Sequence, residues 1–221
     1  MTTSTVPGEP PFDAVLCDID GVLRFFDHRE VTRLEHAAGL PQGRTAEVAF
    51  AGDAGTTLVH GGLTRSEWAG AIARDLAAAG LPADPARELA AAFTHVPARA
   101  DAVVVDLLRR ARERCPVLLV SNATVWLEED LAALGLADLA EGVVNSARVG
   151  AAKPDRRIYE LAAERARATP GRCLFVDDRP ENVEAADRLG MTGLLYREPA
   201  DLRRALAPLL DAPHPGGPLL G

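Results

Sequence analysis

Lysine is almost absent from this chain of 221 residues: Lys153 is the only lysine, and the other 23 of its 24 basic residues are arginine. Together with abundant alanine, glycine and proline, this bias indicates a GC-rich genome in which arginine replaced lysine wherever the exchange was tolerated. A site that needs a compact positive charge would resist that exchange, because ammonium and guanidinium groups differ in size and geometry. Lys153 is therefore a candidate functional residue, with chance survival as the alternative.

Cysteine is also scarce, since only Cys17, Cys115 and Cys173 occur. Cys17 and Cys173 lie inside apolar runs, and Cys115 directly precedes one. An odd number of cysteines in such positions predicts buried reduced thiols rather than a disulfide framework. Their spacing does not resemble a zinc site.

Long apolar runs are missing, and positive charge is in deficit. No stretch approaches the roughly 20 apolar residues that span a bilayer, and residues 1–11 lack the apolar centre of a signal peptide. The formal net charge of −8 argues against nucleic acid or an anionic membrane as a partner. We therefore expect a cytoplasmic protein, in which a metal or local positive groups would receive any anionic substrate.

Short apolar runs alternate with helical patterns through most of the chain. Runs that are apolar throughout are typical of strands buried on both faces of a parallel sheet. The alternation from about residue 100 to 211 predicts an α/β fold with a doubly wound, Rossmann-like parallel sheet. The predicted strands are 12–17, 117–120 and 173–176, with shorter ones at 143–144 and 194–195.

The segment from about residue 24 to 97 interrupts this pattern, because it lacks clear strands and shows helical periodicity. We expect an inserted α-helical cap domain at 25–97, a discontinuous core at 12–24 and 98–211, and flexible termini at 1–11 and 212–221. An insertion directly after the first strand would form a lid over the end of that strand. Its predicted helices are 28–39, 45–51, 66–80 and 85–93, with Ser66 and Asp84 as N-terminal caps.

Polar residues come directly after three of the predicted strands. If these strands are parallel neighbours, the polar sets meet at one edge of the sheet, where open α/β folds bind ligands. Taken singly, each set could be a turn or a helix cap. The three sets are Asp18 with Asp20, Ser121 with Asn122, and Asp177 with Asp178.

Four carboxylates in one site would oppose each other's ionisation, and a divalent cation removes that conflict. Oxygen ligands favour Mg²⁺ over zinc or copper. The Ser121 hydroxyl, the Asn122 amide and backbone N–H groups near Gly21 are suitable phosphate donors. Lys153 adds a point charge, and Pro154 is expected to begin the next helix and so orient the lysine. These groups together predict a pocket for phosphoryl transfer.

In this order and context, the motifs resemble those of the haloacid dehalogenase superfamily, which consists mostly of phosphatases. The resemblance spans residues 12 to about 200, and the run 146–159 looks like the subfamily with a helical cap. The matching motifs are 18–23 (Asp-Ile-Asp-Gly-Val-Leu), Ser121-Asn122, Lys153-Pro154, and 176–178 (Val-Asp-Asp) with Asn182.

The resemblance implies a role for each matching residue. Asp18 would attack phosphorus to form an aspartyl-phosphate, and Asp20 would protonate the leaving oxygen and later activate water. Mg²⁺ would be held by Asp18, the Asp20 backbone carbonyl and Asp178. Phosphate would be bound by Gly21, Ser121, Asn122 and Lys153, while Asp177 and Asn182 would support the site.

These roles indicate a Mg²⁺-dependent phosphomonoester hydrolase that acts on a small phosphorylated metabolite. A 2-haloacid dehalogenase and a phosphomutase are alternatives from the same superfamily, although the family's dehalogenases typically carry an aromatic residue in place of Asp20. A non-enzymatic ligand sensor is a third alternative. Residues leaving the first strand towards the lid, Arg24 to Phe26 and His28, could contact the leaving group, but for Phe25 or Phe26 packing into the cap core is the favoured interpretation.

Overall fold

The computed structural model describes residues 11–211 and is centred on a five-stranded parallel sheet. The order of strands in this sheet is β5-β4-β1-β6-β7, so the first strand lies in the middle. The strands in chain order are β1 (Ala14–Cys17), β2 (Arg24–Phe26), β3 (Ala98–Ala100), β4 (Val117–Ser121), β5 (Gly142–Asn145), β6 (Cys173–Asp177) and β7 (Thr192–Leu195). All five predicted strands are confirmed.

Helices cover both faces of the sheet, as the doubly wound prediction requires. Alternate residues of β1 point to opposite faces, so Val15 joins one hydrophobic cluster and Leu16 the other. The helices are α1 (Arg29–Ala37), α2 (Arg44–Phe50), α3 (Gly52–Val59), α4 (Arg65–Ala78), α5 (Ala83–Thr94), α6 (Ala102–Arg112), α7 (Leu127–Ala133), α8 (Ser146–Val149), α9 (Arg156–Arg165), α10 (Pro180–Arg188) and α11 (Pro199–Leu210). Buried side chains of α6, α7 and α11 pack on the Val15 face, and those of α9 and α10 pack on the Leu16 face.

The five helices α1 to α5 bury a hydrophobic cluster of their own, which is separate from the two sheet clusters. The predicted helices of this segment are all present, but α3 was not predicted. Its sequence contains two glycines and two threonines, which are poor helix formers. Leu58 is buried against the other helices, and this packing overrides the local preference.

Strands β2 and β3, which lie at the two ends of the predicted cap, were also not predicted. They pair antiparallel, with Arg24 opposite Ala100 and Phe26 opposite Ala98. Three residues are too few to show an alternating pattern, so the sequence carries no strand signal there. The chain leaves the sheet region through β2 and returns to it through β3, and the pairing holds these two segments side by side.

The two predicted caps lie a few residues from where the helices begin. Helix α4 begins after Thr64 rather than Ser66, because Thr64 and Glu67 form a reciprocal capping box. Helix α5 follows Pro82, which places Asp84 in its first turn instead of at its cap.

All three cysteines are buried and free, as the sequence predicted. Within residues 11–211, none of the helices combines the length and apolar character needed to cross a membrane. The predicted flexible termini, apart from residue 11, lie outside the described residues.

Candidate active site

The carboxyl ends of the three central strands bring the predicted polar residues together. Strand β1 lies between β4 and β6 and pairs parallel with both. Asp18 follows β1, while Ser121 ends β4 and Asp177 ends β6. The predicted convergence at one edge of the sheet is therefore confirmed, and all three side chains are buried.

The single lysine lies at the centre of this group. Lys153 Nζ is 2.7 Å from Asp18 Oδ1 and donates a hydrogen bond of 2.7 Å to Asp177 Oδ2. Burial alone would lower the pKa of Lys153, but the charges of the two aspartates outweigh it and raise that pKa. Lys153 is thus held as a cation between two carboxylates, with a side chain only 2% exposed.

Asn122 holds the backbone of Lys153. Its Oδ1 accepts from the Lys153 N–H at 2.7 Å, and its Nδ2 donates to the Lys153 carbonyl at 2.8 Å. Oδ1 and one of the two Nδ2 hydrogens are thereby engaged, and the second hydrogen is free of these contacts. Asn122 also lines the cavity described below, and its role as a phosphate donor stays a prediction. Pro154 was predicted to begin the next helix, but α9 begins at Arg156 and is capped by the Asp155 side chain. Lys153 is therefore positioned by Asn122 and not by the start of a helix.

Asp177 is held from two sides. Its Oδ1 accepts from Asn182 Nδ2 at 3.0 Å and from the Arg179 N–H at 2.9 Å, while Oδ2 faces Lys153. Asn182 in turn accepts a hydrogen bond from buried Tyr159 through its carbonyl. This network fixes the direction of the Asp177 carboxylate, and with it the position of Lys153.

Three carboxylates form a cluster that suits a hard cation. One oxygen from each of Asp18, Asp177 and Asp178 lies within 4.8 Å of the others. Burial raises the pKa of Asp18 to about 7 against the opposing charge of Lys153, and Asp177 contributes to the rise. Burial and the charge of Asp177 also raise the pKa of Asp178. Because crowding of negative charge causes part of this penalty, a divalent ion that prefers oxygen ligands fits the cluster.

Gly21 lies against Asp178 in a way that only glycine permits. Its φ is +90°, and a Cβ atom there would lie 2.2 Å from Asp178 Oδ2. The Gly21 N–H donates to the Arg24 carbonyl at 3.0 Å. The predicted use of this N–H as a phosphate donor therefore does not fit, and the residue instead leaves room for the Asp178 carboxylate.

The substitution Gly21→Ala is expected to destabilise the protein by about 2–5 kcal/mol, through left-handed backbone strain and through collision with Asp178. Gly39→Ala is a matched control, since Gly39 has a φ of +71° and a methyl group added there would meet no atom within 4 Å. The control is expected to cost about 1–2 kcal/mol from strain alone. Urea unfolding of both variants measures the difference, and equal losses would contradict the contact with Asp178.

Asp20, the predicted proton donor, is held by a neighbour that the motifs did not assign to the site. Arg24 Nε and a terminal nitrogen donate to the two Asp20 oxygens at 2.6 and 3.0 Å. Arg24 also donates to Asp130 at 3.3 Å, and Asp130 accepts from Arg65 of α4 at 2.8 Å. No local signal predicts the contact between Arg24 and Asp130, because they are 106 positions apart.

A cavity of about 970 Å³ opens onto these groups. Its lining includes Asp18, Asp20, Ser121 and Lys153 at the sheet edge, and side chains of α3, α4 and α5 from the helical segment. The two parts of the chain thus line one cavity, and the carboxylates form part of its wall.

A solved structure with this fold comes from a HAD family enzyme of Bacteroides thetaiotaomicron, in complex with magnesium and inorganic phosphate. It matches with a TM-score of 0.63 at 22% identity, over 82% of this chain and 92% of that chain. Among curated proteins, a sesquiterpene phosphatase from Aspergillus oryzae is 33% identical over 114 residues, which are 50% of this chain and 58% of that protein. A phosphatase from Mycobacterium tuberculosis is 37% identical over 87 residues, which are 39% of this chain and 40% of that protein.

The aligned segments therefore cover about half the length of these two curated relatives. The family model matches residues 12–190 of this chain, a range that holds the sheet edge, the helical segment and each residue of the carboxylate cluster. The chain belongs to the haloacid dehalogenase-like hydrolase family.

Proposed function

We propose that this hydrolase is a Mg²⁺-dependent phosphomonoesterase that works through an aspartyl-phosphate on Asp18. The observation that carries the proposal is the pairing of buried Asp18 with Lys153 at 2.7 Å, beside two further carboxylates and in the wall of a large cavity. A carboxylate held next to a fixed cation is suited to attack a phosphoryl group, because the cation stabilises the negative charge on that group. The names of the two curated relatives, both phosphatases, support the same reaction.

In the proposed first step, an Asp18 oxygen forms a bond to phosphorus as the bond from phosphorus to the leaving oxygen breaks. Asp20 gives a proton to that oxygen, so that an alcohol leaves. In the second step Asp20 takes a proton from water, which attacks phosphorus and releases phosphate and the Asp18 carboxylate. Arg24 acts as a positioning residue, because its two hydrogen bonds fix the direction of the Asp20 carboxylate.

Asp18, Asp178 and the Asp20 backbone carbonyl are proposed to hold Mg²⁺. Once bound, the ion would neutralise charge on the transferring phosphoryl group. Asp177 is assigned to orienting Lys153, because both of its oxygens already accept hydrogen bonds. Lys153 and the Ser121 hydroxyl, which line the cavity beside Asp18, are proposed to bind the phosphoryl oxygens.

Residues 25–97 are proposed to act as the cap of a discontinuous core made of 12–24 and 98–211, as in the helical-cap branch of the superfamily. Their separate hydrophobic cluster and their share of the cavity wall support this division. A cavity closed on one side by helices favours a small phosphorylated metabolite as substrate.

Release of inorganic phosphate from p-nitrophenyl phosphate and from a panel of metabolite phosphates tests the proposal. We expect turnover with Mg²⁺ that falls at least about 100-fold after treatment with EDTA, since the metal stabilises the transition state by several kcal/mol. Turnover should return when Mg²⁺ is restored.

The same assays separate the alternatives. Chloride release from chloroacetate without metal would indicate a dehalogenase, and an isomerised substrate without free phosphate would indicate a phosphomutase. Ligand binding with no turnover in fresh Mg²⁺ would indicate a sensor. Each of these results would contradict the proposed hydrolase.

A further inference from the structure

Aromatic residues are few in this chain, but they are concentrated around the candidate site. The sequence has ten phenylalanine, tryptophan and tyrosine residues. Five of them line the cavity that Asp18 also lines. They are Phe26, Phe50, Trp68, Phe93 and Trp126, and they include both tryptophans of the chain.

Four of these rings contact one another directly, and Phe26 is linked to them through the His28 ring, which lies 6.0 Å from Phe26 and 5.9 Å from Phe93. Trp68 lies 5.7 Å from both Phe50 and Phe93 between ring centroids, and 6.2 Å from Trp126. Such spacings are those of packed aromatic pairs. We call the five residues the aromatic wall; it combines side chains of the helical segment with Trp126, which precedes α7.

Two members of the aromatic wall are unusually exposed. Phe50 is 58% exposed and Phe26 is 39% exposed. Within residues 11–211, the only other large hydrophobic residue that is similarly exposed is Val103 on α6, at 40%. Val103 does not line the cavity. A ligand that covers apolar surface in a cavity removes it from water, and this burial makes binding more favourable.

The charged groups around the cavity restrict the ligand further. Arg24 pairs with Asp20 and Asp130, and Arg65 also pairs with Asp130. Arg179 lies 3.8 Å from Glu181. Each arginine of the described lining thus already faces a carboxylate. Arg24 and Arg65 are the more buried of these arginines, and a second anionic group on the substrate would have to compete there with carboxylates that are already paired, which would be costly. The pair of Arg179 and Glu181 is more than half exposed and weak.

From these observations we infer that the leaving group is a bulky, uncharged, apolar alcohol that covers the aromatic wall. The inference rests on the proposed function and narrows its substrate class to phosphate monoesters with one anionic end. The phosphate lies at Asp18 and Lys153, and the apolar part extends along Phe50 and Trp126. A cavity of about 970 Å³ is within the size range of pockets that enclose such ligands.

The dependence of turnover on the size of the apolar group tests this inference. Phosphate release with Mg²⁺ is measured for a series of n-alkyl phosphates from propyl to decyl. We expect kcat/KM to rise by up to about fourfold per added methylene until the cavity is filled. A decyl phosphate that carries a terminal carboxylate is expected to be at least about tenfold poorer than decyl phosphate. If kcat/KM is flat along the series while the esters are still hydrolysed, the inference is overturned and the proposed function stands.

Binding can be measured without turnover, because both tryptophans belong to the aromatic wall. Titration of the Asp18→Asn variant with decyl phosphate is expected to change tryptophan emission at concentrations at least about 100-fold lower than propyl phosphate requires. Equal midpoints, or no response to decyl phosphate, would overturn the inference. A strong response from a wild-type protein that releases no phosphate would support the apolar site and reject the proposed hydrolase.

Two variants separate the aromatic wall from general surface hydrophobicity. Phe50→Ser is expected to lower the ratio of kcat/KM for decyl to propyl phosphate by about tenfold, and Phe26→Ser should act in the same direction. Val103→Ser removes a side chain of similar exposure outside the cavity and should leave the ratio unchanged. An unchanged ratio in both phenylalanine variants, or an equal fall in Val103→Ser, would overturn the inference.

Discussion

Replacement of Asp18 by asparagine is expected to reduce kcat for phosphate release by on the order of 10⁴-fold or more, as removal of an attacking group does in other enzymes. The amide keeps the size of the side chain but is a poor nucleophile, so no aspartyl-phosphate forms at a useful rate. Lys153 also donates a hydrogen bond to Asp177, which the variant is expected to keep, so the fold should persist. Steady-state kinetics and thermal unfolding together measure the two effects.

Asp106→Asn provides the matched control for this exchange. Asp106 lies on α6 with a side chain 68% exposed, and its nearest cation, Arg110, is 4.0 Å away. This variant should retain the kcat of the wild type. If Asp18→Asn kept kcat within about tenfold of the wild type while folded, Asp18 could not be the nucleophile.

Exchange of the only lysine for arginine, Lys153→Arg, is the second large effect that we expect. Lys153 Nζ fits between Asp18 and Asp177 at 2.7 Å from each, in a site almost closed to solvent. A guanidinium group is larger and planar, so it cannot take the place of this compact charge without displacing a carboxylate. We expect kcat/KM to fall by about 10²–10³-fold and the free energy of unfolding to fall by about 1–3 kcal/mol.

The reverse exchange on the surface, Arg156→Lys, is the control. Arg156 is 74% exposed and pairs with Glu160 on the same helix, so either cation should serve. Wild-type kcat/KM in Lys153→Arg would show that arginine suffices at the site, and the survival of this lysine would then be chance.

Much of the fold was predictable because its elements have strong local signals. The runs at 117–120 and 173–176 are apolar throughout, which is the pattern of strands buried on both faces. The helical segment was predicted less fully. Helix α3 has weak helix formers and forms because Leu58 is buried by neighbouring helices. Strands β2 and β3 depend on each other across more than seventy positions, and neither has a local pattern.

The sequence predicted which residues gather at the candidate site, but it did not predict all the contacts that they make there. Asp18, Ser121 and Asp177 meet because parallel neighbouring strands end at the same edge. The motif does not say which polar atoms remain available there. The Asn122 side chain holds the Lys153 backbone and the Gly21 N–H closes a turn, and these uses depend on how the loops pack against each other.

Short, local patterns in the amino-acid sequence were enough to predict the family, the succession of strands along the chain and the residues that gather at the sheet edge. The packing of distant segments was needed to show that Arg24, which holds Asp20 four positions away, also contacts Asp130, 106 positions away. The same packing brings Trp126 to Trp68 and places Phe50 in the wall of the same cavity. Such contacts depend on how whole helices fit together, and no pattern within one segment specifies them.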